Sequence, residues 1–186
     1  MRRVAVLGLA SILAAALGAA ASGVSVAKQV GCAQRGETSA PTTFNDPRFE
    51  ARGYRVVIGP VELRGVRWYA TRRVFEGLGK RDGYAVAKVA LIVRARRSLA
   101  LTVRGAGPKP ALLAYGEDGK PTATLLVKSC SANTPASSRP GVVGSGTLFP
   151  GDFRVPVAEC VRLRITNRAT GRVWRARLPF GHRCSR

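Results

Sequence analysis

The sequence predicts an all-β protein in which two β-sheets pack face to face as a sandwich. About eight or nine short apolar runs follow one another at regular spacing, with Gly, Pro, Asn and Asp turn residues between them. The longest run, residues 84–95, has the length of a helix, but its β-branched valines and isoleucine favour a strand. A small β-barrel is the alternative arrangement of the same strands.

The individual strands are predicted from apolar runs and from alternation. Val161, Leu163 and Ile165 alternate with arginines, which is typical of a strand with one buried and one exposed face. Trp174 and Leu178 share one face of the following run, and the Gly-Glu-Asp-Gly sequence at 116–119 predicts a hairpin-type turn. The runs are 55–63, which Gly59-Pro60 interrupts, 66–74, 84–95, 99–103, 111–115, 124–127, 147–149, 161–165 and 173–178.

The first 27 residues have the order of a secretory signal peptide. Arg2 and Arg3 precede an uncharged run rich in Ala, Leu and Val, and small residues follow that run. The apolar run is shorter than the ~20 residues that a membrane-spanning helix needs. We therefore predict cleavage after Ala27, with Ala21 as the alternative, and a protein that is secreted or held in the extracytoplasmic cell envelope.

The chain beyond the signal peptide is long enough for a single domain with its own core. Residues 28–53 are polar and rich in turn formers, so they predict an extended lead-in pinned at Cys32. Residues 54–186 hold the apolar runs and predict one β-sandwich domain.

The chain is strongly basic, with 31 Lys and Arg against 10 Asp and Glu and a formal net charge of +21. Such a charge favours an anionic cell-wall polymer or a membrane surface as partner. The basic residues are scattered along the sequence, so an Arg- and Ala-rich composition is the competing interpretation. Nucleic acid is an unlikely partner, because the chain is predicted to be exported and contains no nucleic-acid-binding motif.

Four cysteines follow the signal peptide, and an even number in an oxidising compartment predicts disulfides. We expect a nested pairing, Cys130–Cys160 inside Cys32–Cys184. The run that ends at Cys130 and the run that begins at Cys160 would face each other across a sheet, and the outer bridge would tie the chain ends together. No spacing of Cys and His suggests zinc, and no cofactor or metal is predicted.

Two tryptophans flanked by arginines allow two interpretations. If they are exposed, they would stack on sugar rings beside a cation; if they are buried, they would be core residues covered by the arginines, and this second interpretation is favoured. The candidates for polyanion or glycan contact are Arg67, Trp68, Arg172, Trp174 and Arg175.

No catalytic motif stands out. His182 is the sole histidine, and the sequence has neither a nucleophile elbow nor a phosphate-binding glycine loop. We therefore predict a non-enzymatic protein with a structural or binding role. The alternative is a secreted enzyme with a site around His182.

Short motifs are spread along the chain from residue 59 to residue 184. They are 59–66, 112–116, Cys130, 144–146, 159–163 and 180–184. Together they resemble those of a group of small, uncharacterised secreted actinobacterial proteins. The resemblance implies an immunoglobulin-like β-sandwich, export and structural cysteines, and it implies no activity.

Overall fold

The computed structural model describes residues 27–36, 42–45, 54–132, 134 and 144–184. Residues 1–26 of the predicted signal peptide lie outside these ranges. The described chain forms β1 (Lys28–Val30), β2 (Arg55–Ile58), β3 (Val61–Arg64), α1 (Arg72–Glu76), β4 (Lys80–Arg81), β5 (Tyr84–Lys88), β6 (Ala90–Arg94), β7 (Ser98–Arg104), β8 (Leu112–Tyr115), β9 (Thr124–Lys128), β10 (Gly146–Phe149), β11 (Gly151–Val155), β12 (Glu159–Asn167) and β13 (Val173–Phe180). Two short 3-10 turns cover Cys32–Gln34 and Val66–Ala70.

The strands form two layers, which confirms the predicted β-sandwich. Sheet A has the order β1-β9-β7-β12-β13 and makes one layer. Sheet B (β10-β6-β3-β2) and sheet C (β4-β5-β11-β8) make the other. Among the described strands, neighbours pair antiparallel except β1 and β9, which are parallel, and no sheet closes into a barrel.

Sheets B and C are two halves of one bent sheet. Phe149 lies opposite Leu91 in sheet B, and Asp152 lies opposite Lys88 in sheet C, so one register continues through both. Pro150 interrupts the ladder because it has no N–H to donate. The predicted strand 84–95 is therefore two strands, β5 and β6, that meet at this bend.

The core lies between the layers and follows from strand alternation. Val161, Leu163 and Ile165 are buried in it while Arg162 and Arg164 are exposed, which confirms the alternation predicted for β12. An aromatic cluster fills the space under sheet C, where the Phe153 ring lies 5.4 Å from that of Phe180 and 6.3 Å from that of Tyr115.

Tyr115 fixes the bend from inside the core. Its hydroxyl donates a 2.9 Å hydrogen bond to the carbonyl of Val89, the residue between β5 and β6. Burial raises the pKa of Tyr115 well above its ordinary value, and the Asp152 carboxylate raises it further. A Cβ on Gly151 would overlap the Tyr115 ring, so this close approach requires glycine.

One local prediction is wrong. The run 66–74 forms a 3-10 turn and the start of α1 instead of a strand, with Val66 as its buried residue.

The predicted hairpin-type turn at 116–119 is present. It closes with a 3.1 Å bond from the Gly119 N–H to the Gly116 carbonyl, and Leu113 and Thr122 on either side of it exchange two antiparallel backbone hydrogen bonds. Beyond this bridge the chain leaves sheet C, and β9 joins sheet A.

The lead-in contributes to the sandwich. β1 forms the edge of sheet A, and later backbone bonds join Gly36 to Leu148 (2.8 Å) and Thr42 to Gly146 (3.0 Å). These bonds lie along β10, the edge strand of sheet B, and the next residues reach the outer side of that sheet, where Asn45 contacts the fully buried Glu62 side chain.

All four cysteines form disulfides as predicted, but the predicted nested pairing is wrong. The bridges are Cys32–Cys130 and Cys160–Cys184, with Cα–Cα distances of 4.8 and 5.6 Å. Parallel pairing of β1 with β9 brings Cys32 to Cys130. Cys130 follows β9 and Cys160 lies near the start of β12, and β7 separates these two strands. Lys128 pairs with Ser98 at one end of β7, whereas Arg162 pairs with Arg104 at the other end. Cys130 and Cys160 therefore lie at opposite ends of the sheet, beyond disulfide reach.

Candidate functional site

The outer side of sheet A carries five arginines from three neighbouring strands. Arg162 of β12 lies between Arg104 of β7 and Arg177 of β13. Arg164 faces Thr102 of β7 and Arg175 of β13. We call Arg104, Arg162, Arg164, Arg175 and Arg177 the arginine face.

Strand geometry arranges these arginines in two short rows. Neighbouring strands are about 4.8 Å apart, and residues two apart on one strand are about 7 Å apart on the same side. The face borders an open groove of about 960 Å³. The groove is lined by Thr102, Arg104, Arg162, Leu163, Arg164, Thr166, Arg175, Ala176, Arg177 and Cys184.

None of the described residues that line this groove is acidic. Arginines directly opposite each other across a sheet repel, as Arg162 does with Arg104 and Arg164 with Arg175. A bound anion would offset this repulsion. Each planar guanidinium offers a pair of parallel N–H donors that match phosphate and carboxylate oxygens.

Several acidic side chains elsewhere in the described chain are paired with local partners. Glu62 binds Arg64 at 2.7 Å on the outer side of sheet B. Asp152 binds Arg154 in a buried pair in sheet C. Lys28 of β1 binds Asp118, and this hydrogen bond holds the pKa of Asp118 below its ordinary value.

Glu159 is the acidic residue nearest the arginines in sequence, but it does not face them. It occupies an inward position of β12 and is buried. One carboxylate oxygen accepts a hydrogen bond from the Ala106 N–H. Because Glu159 points inward, it does not pair with the arginine face.

The structure places the predicted contact residues in three separate locations. Arg175 belongs to the arginine face. Trp174 lies on the opposite side of β13, half-buried against the core, where a Cβ on Gly59 would overlap its ring. The Arg172 guanidinium lies 5.1 Å from the Trp174 ring centre, so these two residues form a packed edge of the sandwich.

Arg67 and Trp68 lie in the 3-10 turn that follows β3. Both are exposed, and 52% of the Trp68 surface is accessible. The Trp68 ring lies 5.2 Å from the ring of Tyr54. This pair sits at the open end of the β2–β3 hairpin, whereas Trp174 packs at its turn, so the two tryptophans do not form one site.

A second groove lies at the bend between sheets B and C. It has a volume of about 560 Å³, and we call it the junction groove. The Tyr69 hydroxyl donates a 2.9 Å hydrogen bond to the Lys88 carbonyl beside it, and burial raises the pKa of Tyr69. The groove is lined by Tyr54, Arg55, Arg64, Gly65, Lys88, Val89, Ala90, Pro150 and Gly151.

His182 is exposed in the tail between Gly181 and the disulfide-bonded Cys184. Among the described residues, no group of three or more His, Cys, Asp or Glu is placed to hold a metal ion.

Sequence reasoning missed Arg104, Arg162, Arg164 and Arg177 as contact residues. The alternation of arginine with apolar residues in 161–165 marked two of them as exposed. Their assembly depends on β12 pairing with β7, which is far away in sequence, and the alternation does not reveal that register.

The fold and the arginine face define a disulfide-linked β-sandwich with a basic sheet surface. The chain matches no protein-family model, no curated protein and no solved structure. Its two disulfides indicate an oxidising, extracytoplasmic environment. In the part of the chain that the structure describes, no helix is long and apolar enough to cross a membrane.

Proposed function

We propose that this protein is exported by its signal peptide and binds anionic polymers of the cell envelope through the arginine face, without catalysing a reaction. Like-charged arginines face each other in rows on an outer sheet surface, and none of the described residues that line its groove is acidic. This observation carries the proposal. The resemblance to secreted actinobacterial proteins and their immunoglobulin-like sandwich agrees with this role.

The character of the face favours a polymer over a membrane. Peripheral proteins that insert into a bilayer present large apolar side chains beside their basic residues. The described exposed hydrophobic residues are Tyr54, Val57, Trp68 and Val157, and none of them lines the arginine groove. The groove instead offers guanidinium donors and threonine hydroxyls, which suit a chain of phosphates or carboxylates.

The binding test uses linear polyphosphate and a triple variant, Arg162→Gln, Arg164→Gln and Arg175→Gln. The logarithm of the association constant falls linearly with the logarithm of salt concentration, and the slope counts ionic contacts. Removing three contacts is expected to reduce that slope by about 2–3. Titration at several salt concentrations measures it.

The matched control removes the same charge elsewhere. Arg73→Gln, Lys80→Gln and Arg168→Gln are exposed positions outside the arginine groove. This control is expected to change the slope by less than about 1, because polyanion contacts are local. An equal reduction of the salt-dependence slope in the two triple variants would show that net charge alone drives binding and would overturn the proposal. The enzyme alternative predicts an activity that His182→Ala abolishes.

A further inference from the structure

We propose that the junction groove binds a sugar ring of an acidic glycan, so that the protein joins two polymer strands from opposite faces. This inference rests on the proposed function, since it supplies a second contact to the same class of polymer. Its evidence is independent of the arginine face.

The first observation is a pair of aromatic rings exposed beside the groove. Trp68 is 52% accessible and Tyr54 is 42% accessible, and their ring centres lie 5.2 Å apart. The large buried aromatic residues of this protein, by contrast, lie within the core. The planes of the two rings are tilted by 59° to each other, so they form an apolar corner, and the flat C–H side of a pyranose ring can stack on the exposed Trp68 ring within it.

The second observation is the set of charged side chains that line the junction groove next to Tyr54. Arg55, Arg64 and Lys88 are the charged residues among its lining, and none of the described lining residues is acidic. Arg64 is oriented by a 2.7 Å bond to Glu62, and Lys88 Nζ lies 3.5 Å from Asp152. An apolar corner with a few convergent donors is typical of a small-ligand site.

Together these features specify the occupant. A purely apolar ligand would strip water from the cations without replacing their hydrogen bonds. A simple inorganic polyanion would leave the aromatic rings exposed. A sugar ring that carries a carboxylate contacts both the aromatic rings and the cations, with its ring on Trp68 and its acid group toward Lys88.

The junction groove and the arginine face lie on different layers of the sandwich. In sheet B, Val61 and Leu63 face the core, so Arg64 lies on the outer side of that layer. The arginine face lies on the outer side of sheet A, across the core. Layers of a sandwich pack about 10 Å apart. A straight stretch of a stiff polymer cannot contact both faces, so when such polymers are in excess the two sites bind separate strands and join them.

The experiment mixes the full-length exported protein with polygalacturonate, an acidic glycan, and follows light scattering. Wild type is expected to give scattering that rises and then falls as protein is added, as a bivalent cross-linker does. Trp68→Ala is expected to remove this maximum while retaining the salt dependence of binding. Val157→Ala, which shortens another exposed hydrophobic side chain, is the matched control and should behave as wild type.

A second readout separates the two sites. In the triple arginine variant, polygalacturonate should still change tryptophan fluorescence, and Trp68→Ala added to that variant should weaken this binding roughly tenfold. Linear polyphosphate, which has no sugar ring, should give no such change.

Unaltered cross-linking by Trp68→Ala would overturn the junction groove as a site. Tight binding of polygalacturonate by wild type without a scattering maximum would overturn bivalency but leave the arginine face intact. Loss of the difference between the two triple variants, with the Trp68-dependent fluorescence change retained, would overturn the proposed function alone.

Discussion

The outer sides of sheets A and B differ in the arrangement of their charged side chains. On sheet B, Glu62 is fully buried, binds Arg64 and accepts a 2.7 Å hydrogen bond from the Asn45 N–H of the lead-in. On sheet A, Arg162 and Arg164 stand exposed beside further arginines, and none of the described residues lining their groove is acidic. Around Glu62 the surface is paired and covered by the lead-in, whereas Arg162 and Arg164 face the solvent.

This difference shows that net charge does not locate a binding surface. The whole chain is basic, yet its described acids lie in particular regions, and none of them lines the groove of the arginine face. The arrangement of the few acids therefore carries more information than the number of arginines.

The largest expected effect comes from releasing the lead-in that covers sheet B. Cys32→Ser with Cys130→Ser removes a bridge between residues 98 apart, and loop entropy predicts a loss of about 4–5 kcal/mol of unfolding free energy. Urea unfolding measures the loss. Cys160→Ser with Cys184→Ser opens a loop with a separation of 24 and should cost less, about 3 kcal/mol. The reverse order would contradict the idea that the lead-in is part of the sandwich.

An intermediate loss of unfolding free energy is expected from a substitution at Glu62, on the outer side of sheet B. Glu62→Ala removes the carboxylate that binds Arg64 and the Asn45 N–H, so the free energy of unfolding should fall by about 3 kcal/mol. Thermal and urea unfolding measure it. Glu117→Ala, at an exposed turn position, is the control and should change stability by less than about 0.5 kcal/mol. Similar losses in both variants would mean that Glu62 has no special role.

The smallest change in the free energy of unfolding is expected on the arginine face, and there the substitution should stabilise the protein. Arg164→Gln removes repulsion from Arg175 and should raise the free energy of unfolding by about 0.5 kcal/mol at low salt. The gain should shrink at high salt, where repulsion is screened. Arg168→Gln, in the β12–β13 turn, provides the comparison. A destabilised Arg164→Gln protein would show that the arginines do not strain the sheet.

Local pattern predicted much of the fold. β12 and β13 were identified from alternation, because burial of one face imposes a period of two on the sequence. The break between β5 and β6 was missed, since the run 84–95 stays apolar through Val89 and the interrupting Pro150 lies on the partner strand. The disulfide pairing was missed because it follows from a parallel β1–β9 contact between distant segments.

The candidate site was predictable only in part for the same reason. Arg175 was identified beside Trp174, but the two point to opposite sides of β13. The arginine face exists because β12 pairs with β7 and β13 in one particular register, and local alternation does not encode which strands become neighbours.

The order of the disulfides has a consequence for how the protein is made. Cysteines pair in order of appearance, the first with the second and the third with the fourth. In a chain delivered N-terminus first, Cys32 meets Cys130 before Cys160 has emerged, and Cys184 finds Cys160 as the only remaining thiol. Oxidation in step with delivery thus yields the native bridges without an isomerase having to correct them.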